Sequence, residues 1–110
     1  MNNFTHLNLH TEYSFVDSII KIGQVVSLYK KQKIKSICVT DLLLITSFYE
    51  YYFYCYDNNI KPLIGTECFI LHNGNIISCI LLSKNFEGYQ NLMKILSNAW
   101  RYGNIDNGVF

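Results

Sequence analysis

The sequence predicts a small α/β protein with a mostly parallel sheet, or a segment of an α/β barrel. Half of its 110 residues are hydrophobic and 15% are charged, which is typical of a globular chain. Short β-rich segments alternate with segments of helical periodicity, in the order β-α-β-α-β-β-α. Helical crossovers join parallel strands, so this order favours a parallel sheet with one hairpin. The length allows one small domain.

The first half of the chain contains two predicted strands and one helix. Residues 4–10 alternate in side-chain character, which predicts the first strand. Asp17 and Ser18 offer helix-start chemistry, and the positive charge of residues 30–33 suits a helix end. Apolar residues recur between them at helical spacing: Ile22, Val25, Val26 and Tyr29. Residues 34–40 are short and β-rich, and they predict the second strand.

A hairpin is predicted around Asn73-Gly74. These two residues tolerate the positive φ angles of a type I′ turn. The apolar segments 62–71 and 75–83 on either side predict the third and fourth strands.

Two further helices are predicted. Residues 44–56 are apolar on more than one side, which predicts a helix packed within the core. Residues 87–101 carry one apolar face and predict a surface helix. Residues 104–110 contain glycine and asparagine and are expected to form a frayed tail.

Charge and hydropathy limit the possible partners and location. The formal net charge is +1, so no basic field indicates direct binding of nucleic acid or an acidic membrane. The N-terminus lacks the basic and apolar regions of a secretory signal. The apolar segment 42–56 is shorter than the roughly 20 residues that span a bilayer. We therefore expect a cytoplasmic protein without a membrane partner.

The four cysteines do not form a recognised metal or redox motif. They stand at positions 38, 55, 68 and 79, and no C-x-x-C pair occurs. Each lies in an apolar segment, so buried thiols that behave as small hydrophobic side chains are expected.

Polar residues follow several predicted strands. His10 closes the first strand, Asp41 closes the second, and Glu67 lies in the third. The carboxyl ends of such strands meet on one face, where these residues, with Asp17 from the first loop, would suit a divalent metal ion. Asp41 and Asp17 could equally be helix N-caps, so both interpretations stay open.

Five blocks of the sequence occur in a recognisable order over residues 4–103. They are Phe4–Ser14 followed by Asp17, Val39-Thr40-Asp41, Ile60–Glu67, Leu81–Asn85 and Gly88–Lys94. In this order and with these separations, the blocks resemble the start of the bacterial DNA polymerase III alpha subunit, which begins with a polymerase-and-histidinol-phosphatase (PHP) domain.

This resemblance implies a distorted seven-stranded β/α barrel with a metal cluster at the strand ends. Residues 1–110 would then be a single, partial PHP domain containing the N-terminal part of that barrel. The family ligand positions that are retained are His10, Asp17, Asp41 and Glu67. Two others are lost, because Asn8 and Leu42 stand where metal-binding members have histidine.

The resemblance also implies a function. We expect a scaffold segment of a replicative polymerase that synthesises DNA on a template, with a degenerate site that binds Zn, Mn or Mg weakly at most. The polymerising residues lie outside this segment, so no catalytic residue is assigned here. Its partners would be the rest of the alpha subunit and the proofreading exonuclease subunit, with DNA contacted only through the parent polymerase.

The alternatives are a residual metal-dependent phosphoesterase or nuclease, and a small free-standing interaction module that binds through helix 44–56.

Overall fold

The computed structural model describes residues 4–14 and 17–103, and within those ranges it contains three helices and three strands. In chain order the elements are α1 (Ile22–Lys31), β1 (Ser36–Val39), α2 (Phe48–Asp57), β2 (Lys61–His72), β3 (Asn75–Leu82) and α3 (Phe86–Tyr102). The α/β class is therefore confirmed. The tail expected over residues 104–110 lies outside the described part of the chain.

The strands form one mixed sheet in the order β1-β2-β3. β1 runs parallel to β2, from Ser36 opposite Lys61 to Val39 opposite Ile64. The intervening helix α2 provides the crossover that a parallel pair requires. This βαβ unit places the carboxyl ends of β1 and of the paired part of β2 at the same edge.

The predicted hairpin is confirmed. β2 pairs antiparallel with β3 from Gly65 opposite Leu82 to the residues that flank the turn. Asn73 and Gly74 have φ angles of 50° and 78°, the left-handed pair that a two-residue type I′ turn needs.

The strand predicted over residues 4–10 is wrong. Within the described residues, this segment makes one backbone hydrogen bond to the end of β1, from the Thr40 amide to the Leu9 carbonyl at 2.9 Å. A strand requires a repeated ladder of such bonds. The segment is instead held by side chains, as the Thr40 hydroxyl lies 3.3 Å from the Leu7 carbonyl. The order from β1 onward otherwise follows the prediction.

The helices match the prediction to different degrees. α1 begins at Ile22, and its N-cap is Lys21, so Asp17 and Ser18 do not start it. α2 begins at Phe48 rather than near residue 44, because Leu43 has a φ of 59° and the chain from there to Ser47 forms turns and irregular structure. α3 agrees within one residue at each end. No helix in residues 4–14 and 17–103 is long and apolar enough to cross a bilayer.

The core lies between α1, α2 and the sheet. Its buried side chains are Ile22, Val26, Tyr29, Ile34, Ile37, Val39, Tyr51, Cys55 and Ile60. α2 buries Tyr51 and Cys55 but leaves Tyr49 76% and Tyr56 69% exposed. The prediction that this helix packs on more than one side is therefore wrong.

Tyr51 joins α2 to the parallel strands through its buried hydroxyl group. That oxygen accepts a hydrogen bond from the Leu63 amide at 3.0 Å and contacts the Ile37 carbonyl. We expect Tyr51→Phe to lower the free energy of unfolding by about 1–3 kcal/mol, because it leaves buried backbone groups without a partner. Urea denaturation measures this loss. Tyr56→Phe is the matched control because its ring is exposed, and an equal loss in both variants would contradict the prediction.

Candidate functional site

Three of the four predicted site residues meet beside the sheet. The Nε2 atom of His10 lies 2.6 Å from Oε2 of Glu67. The other ring nitrogen, Nδ1, contacts Oδ2 of Asp17. The side chains of His10 and Glu67 are 20% and 17% exposed, and that of Asp17 is 48% exposed. One imidazole therefore bridges two carboxylates at the protein surface.

Glu67 is positioned by the strand register. It pairs with Leu42 in an isolated parallel bridge just beyond β1. The Glu67 amide donates to the Asp41 carbonyl at 3.2 Å, and the Leu43 amide donates to the Glu67 carbonyl at 2.9 Å. From β3, the Ser78 hydroxyl donates to Oε1 of Glu67 at 3.2 Å. The carboxylate is thus held between His10 and β3.

His10 and Asp17 are positioned by a short loop. The Ser18 hydroxyl donates to the His10 carbonyl at 2.8 Å, which ties the two ends of this loop together. The Asp17 amide donates to the Ser14 carbonyl at 3.0 Å, which turns the loop back toward the imidazole. Asp17 therefore acts as a partner of His10, and not as a helix cap.

The two carboxylates raise the pKa of His10. Burial lowers the pKa of His10, but the hydrogen bonds to Asp17 and Glu67 and the charges of both residues outweigh burial and raise it. Both ring nitrogens can donate only in the protonated imidazolium form. A metal ion at this imidazole would have to displace a proton, so metal and proton compete for His10.

Asp41 is 1% exposed, and its carboxylate binds residues other than His10, Asp17 and Glu67. Its Oδ1 accepts hydrogen bonds from the Thr11 amide at 2.6 Å and the Ser14 hydroxyl at 2.8 Å. Its Oδ2 accepts from the Thr11 hydroxyl at 2.8 Å. The N-cap of α2 is Ser47, so the alternative that Asp41 caps the next helix is wrong. Asp41 instead anchors residues 11–14 to the end of β1.

Asn8 and Leu42 are the two positions at which the sequence predicts that a family metal ligand is lost. The exposed Asn8 has its Oδ1 atom 3.2 Å from the Thr40 hydroxyl. Leu42 is half-buried and donates its amide to the Ser14 hydroxyl at 3.0 Å. Neither side chain adds a strong metal donor.

Within residues 4–14 and 17–103, no group of three or more His, Cys, Asp or Glu side chains is placed to hold a metal ion. The imidazole of His10 is bound on both sides by carboxylates, and the oxygens of Asp41 already accept several hydrogen bonds. The donor types suit a divalent cation, but their present hydrogen bonds compete with one.

The hydroxyl residues that organise this region were not predicted from the sequence. Thr11 and Ser14 bind Asp41, and Ser78 binds Glu67. Thr11 and Ser14 are 0% and 2% exposed, although both lie in a polar segment. Isolated hydroxyl residues carry no periodic pattern, so the sequence contains no feature that would have identified them.

Comparison with curated proteins gives clear relatives. The chain is 38% identical over 108 residues to the DNA polymerase III subunit alpha of Helicobacter pylori strain 26695, covering 91% of this chain and 9% of that protein. It is 30% identical over 105 residues to the same subunit of Staphylococcus aureus strain Mu50, covering 96% of this chain and 10% of that protein. The chain therefore spans about a tenth of the length of these relatives, and its homology to the alpha subunit is confirmed.

Fold and family comparisons agree with this result. A solved structure from Bifidobacterium adolescentis, named as a candidate metal-dependent phosphoesterase, matches with a TM-score of 0.58 and 13% identity. The match covers 88% of this chain and 34% of that one. The family model for the PHP domain matches residues 6–108. The chain belongs to the PHP domain family.

Proposed function

We propose that this chain is the N-terminal PHP segment of a replicative DNA polymerase III alpha subunit and that it acts there as a scaffold. The observation that carries the proposal is the 38% identity to an alpha subunit over 91% of the chain. Template-directed DNA synthesis would belong to the parent protein, because no residue of this segment is assigned to the polymerase reaction. DNA would be contacted only through that parent, in the cytoplasm.

A scaffold is favoured over a hydrolase by the side chains at the site. Phosphoester hydrolysis by metal-activated water requires a correctly spaced metal cluster. Asn8 offers a weak neutral oxygen, and Leu42 offers no donor. The hydrogen bonds of Asp41 to Thr11 and Ser14 also give it a structural role that needs no metal. We therefore propose that the metal site is degenerate and that it binds a divalent ion weakly at most.

The exposed hairpin supports an incomplete domain. β3 pairs with β2 and is the edge strand of the described sheet. It exposes Ile76, Ile77 and Leu82 by 58%, 47% and 44%. Apolar side chains on an open strand edge favour association with further structure. We propose that residues 1–110 are the N-terminal part of the seven-stranded barrel and that the remainder of the alpha subunit completes it. The proofreading exonuclease subunit is the proposed external partner.

A residual metal-dependent phosphoesterase is the second candidate. It is favoured by the contact of His10 with both Asp17 and Glu67, which gathers an imidazole and two carboxylates at one place. The fold match to a candidate phosphoesterase is consistent with it. The affinity of the parent chain for Mn²⁺ separates this candidate, which requires tight binding, from the scaffold, which does not.

The size of the native polypeptide tests the polymerase proposal. An antibody raised against this chain is used on a denaturing gel of the source cells, with the purified 110-residue chain as the size control. We expect a band roughly tenfold larger than the control, because the chain spans 9% of its relative's length. A band at 12.9 kDa alone would contradict the proposal and would favour a free-standing module that binds through the exposed aromatic side of α2.

A further inference from the structure

Two cysteines face each other across the hairpin. Cys68 of β2 lies directly opposite Cys79 of β3 in the strand register. Their Sγ atoms are 3.3 Å apart, and both are free thiols. Cys68 is buried, whereas Cys79 is partly exposed. The pair is separate from the imidazole and carboxylate cluster, although Cys68 directly follows Glu67 in the chain.

The backbone already has the spacing that a disulfide needs. Opposed residues in an antiparallel pair have Cα atoms about 4.5–5.5 Å apart. Disulfides occur at Cα separations of about 4.4–6.8 Å, with an S–S bond of about 2.05 Å. The sulfur atoms would therefore have to approach by little more than 1 Å from their 3.3 Å separation, which side-chain rotation can supply. No movement of one strand along the other is required.

We propose that Cys68 and Cys79 are a reversible oxidation site that forms an intrachain disulfide with hydrogen peroxide. The partly exposed Cys79 sulfur attacks one peroxide oxygen, the O–O bond breaks, and water and a Cys79 sulfenic acid result. The Cys68 sulfur then attacks the Cys79 sulfur, the S–O bond breaks, and the Cys68 proton leaves with the hydroxyl group as a second water. Two thiols are oxidised and one peroxide is reduced.

The environments of the two thiols support this order of events. Cys68 is buried and therefore shielded from peroxide, while it lies directly opposite Cys79. Access to peroxide is greater at Cys79, because it is the more exposed of the two. Once Cys79 is oxidised, Cys68 is the thiol placed within reach of it. Disulfides in reducing compartments are transient, so a cellular reductant would restore both thiols.

The bond would fasten the edge strand to the sheet. It would close a loop that contains the Asn73-Gly74 turn, and cross-linking a loop removes freedom from the unfolded chain. The oxidised protein should therefore resist urea better than the reduced protein. Because Cys68 follows Glu67, the bond would also fix the strand beside the candidate site.

Mass spectrometry of the peroxide-treated chain tests the proposal. The native protein is treated with hydrogen peroxide, denatured, blocked with N-ethylmaleimide and digested. We expect two blocked cysteines, a 68–79 cross-linked peptide about 2 Da lighter than its reduced parts, and recovery of both thiols with dithiothreitol. The urea midpoint should rise on oxidation and return on reduction.

Matched variants identify the residues responsible. Cys79→Ser and Cys68→Ser should each abolish the cross-link, whereas Cys38→Ala should retain it. Circular dichroism checks that each variant is folded, and Cys79→Ala replaces Cys79→Ser if the latter is not. The proposal is overturned by four remaining thiols after treatment, by over-oxidised Cys79 without a cross-link, or by bonds to Cys38, to Cys55 or between molecules.

Discussion

Replacing Asp41 with alanine is expected to lower the free energy of unfolding by about 3–4 kcal/mol. The side chain is buried and accepts hydrogen bonds from the Thr11 amide, the Thr11 hydroxyl and the Ser14 hydroxyl. Each buried donor left without a partner costs about 1–3 kcal/mol, and the Thr11 amide cannot rotate toward another acceptor. Urea denaturation followed by circular dichroism measures the loss.

Two further variants show that the effect comes from these bonds. Asp41→Asn keeps one carbonyl oxygen for the Thr11 amide and the Ser14 hydroxyl, so it should recover at least half of the lost stability. Asp57→Ala removes a carboxylate from an exposed position and should change stability by less than about 0.5 kcal/mol. If Asp41→Ala proves as stable as the parent protein, Asp41 does not anchor residues 11–14, and its structural role is wrong.

Introducing histidine at positions 8 and 42 is expected to create a strong metal site. Asn8→His combined with Leu42→His supplies two imidazoles beside His10 and Glu67. We expect the affinity for Mn²⁺ to rise by more than about 100-fold, because losing groups that merely support a metal ligand already costs about 10–100-fold. Electron paramagnetic resonance of free Mn²⁺ measures binding directly. Manganese is preferable to zinc here, since thiolates favour the softer zinc ion and the chain has four cysteines.

The matched control places the same substitutions elsewhere. Leu28→His combined with Asn91→His adds two imidazoles at exposed positions on α1 and α3 and should leave Mn²⁺ affinity unchanged. Asn8→His alone serves if the Leu42 substitution disturbs the fold. Tight Mn²⁺ binding by the parent chain, with phosphodiesterase activity that His10→Ala abolishes, would contradict the degenerate site and establish the residual phosphoesterase.

The elements that were predicted correctly are those whose structure is specified by neighbouring residues. Asn73-Gly74 specifies its own turn through the φ angles that these residues tolerate, so the hairpin was found. α3 was found because its apolar residues recur at helical spacing. The structure adds a cap that was not predicted, in which the Asn85 side chain accepts a hydrogen bond from the Gly88 amide at 2.9 Å. The side chains of residues 4–10 also alternate in character. A strand, however, requires a ladder of backbone hydrogen bonds to a partner that is distant in the chain, and the alternation gives no information about that partner.

The candidate site was also predictable only in part, because some of its contacts join residues that are distant in the chain. The rule that functional residues gather at strand ends predicted that His10 and Glu67 lie close together, although the segment that ends at His10 is not a strand. The hydrogen bonds of Asp41 to Thr11 and Ser14 were not predicted, because they arise from the path of residues 11–14 after His10. An exposed side of α2 was expected only in the alternative of a free-standing interaction module, because a helix rich in tyrosine has the same sequence whether or not other segments cover it.

The mixed sheet also determines the order in which the chain should fold. The β2–β3 hairpin joins neighbouring residues through a two-residue turn, and such hairpins form within about 1–10 μs. β1 must instead find β2 across the whole of α2, and non-local contacts of this kind form slowly. We therefore expect docking of β1 and α2 onto a preformed hairpin to limit the folding rate. During that interval both edges of the hairpin are unpaired, so refolding should be most efficient at low protein concentration.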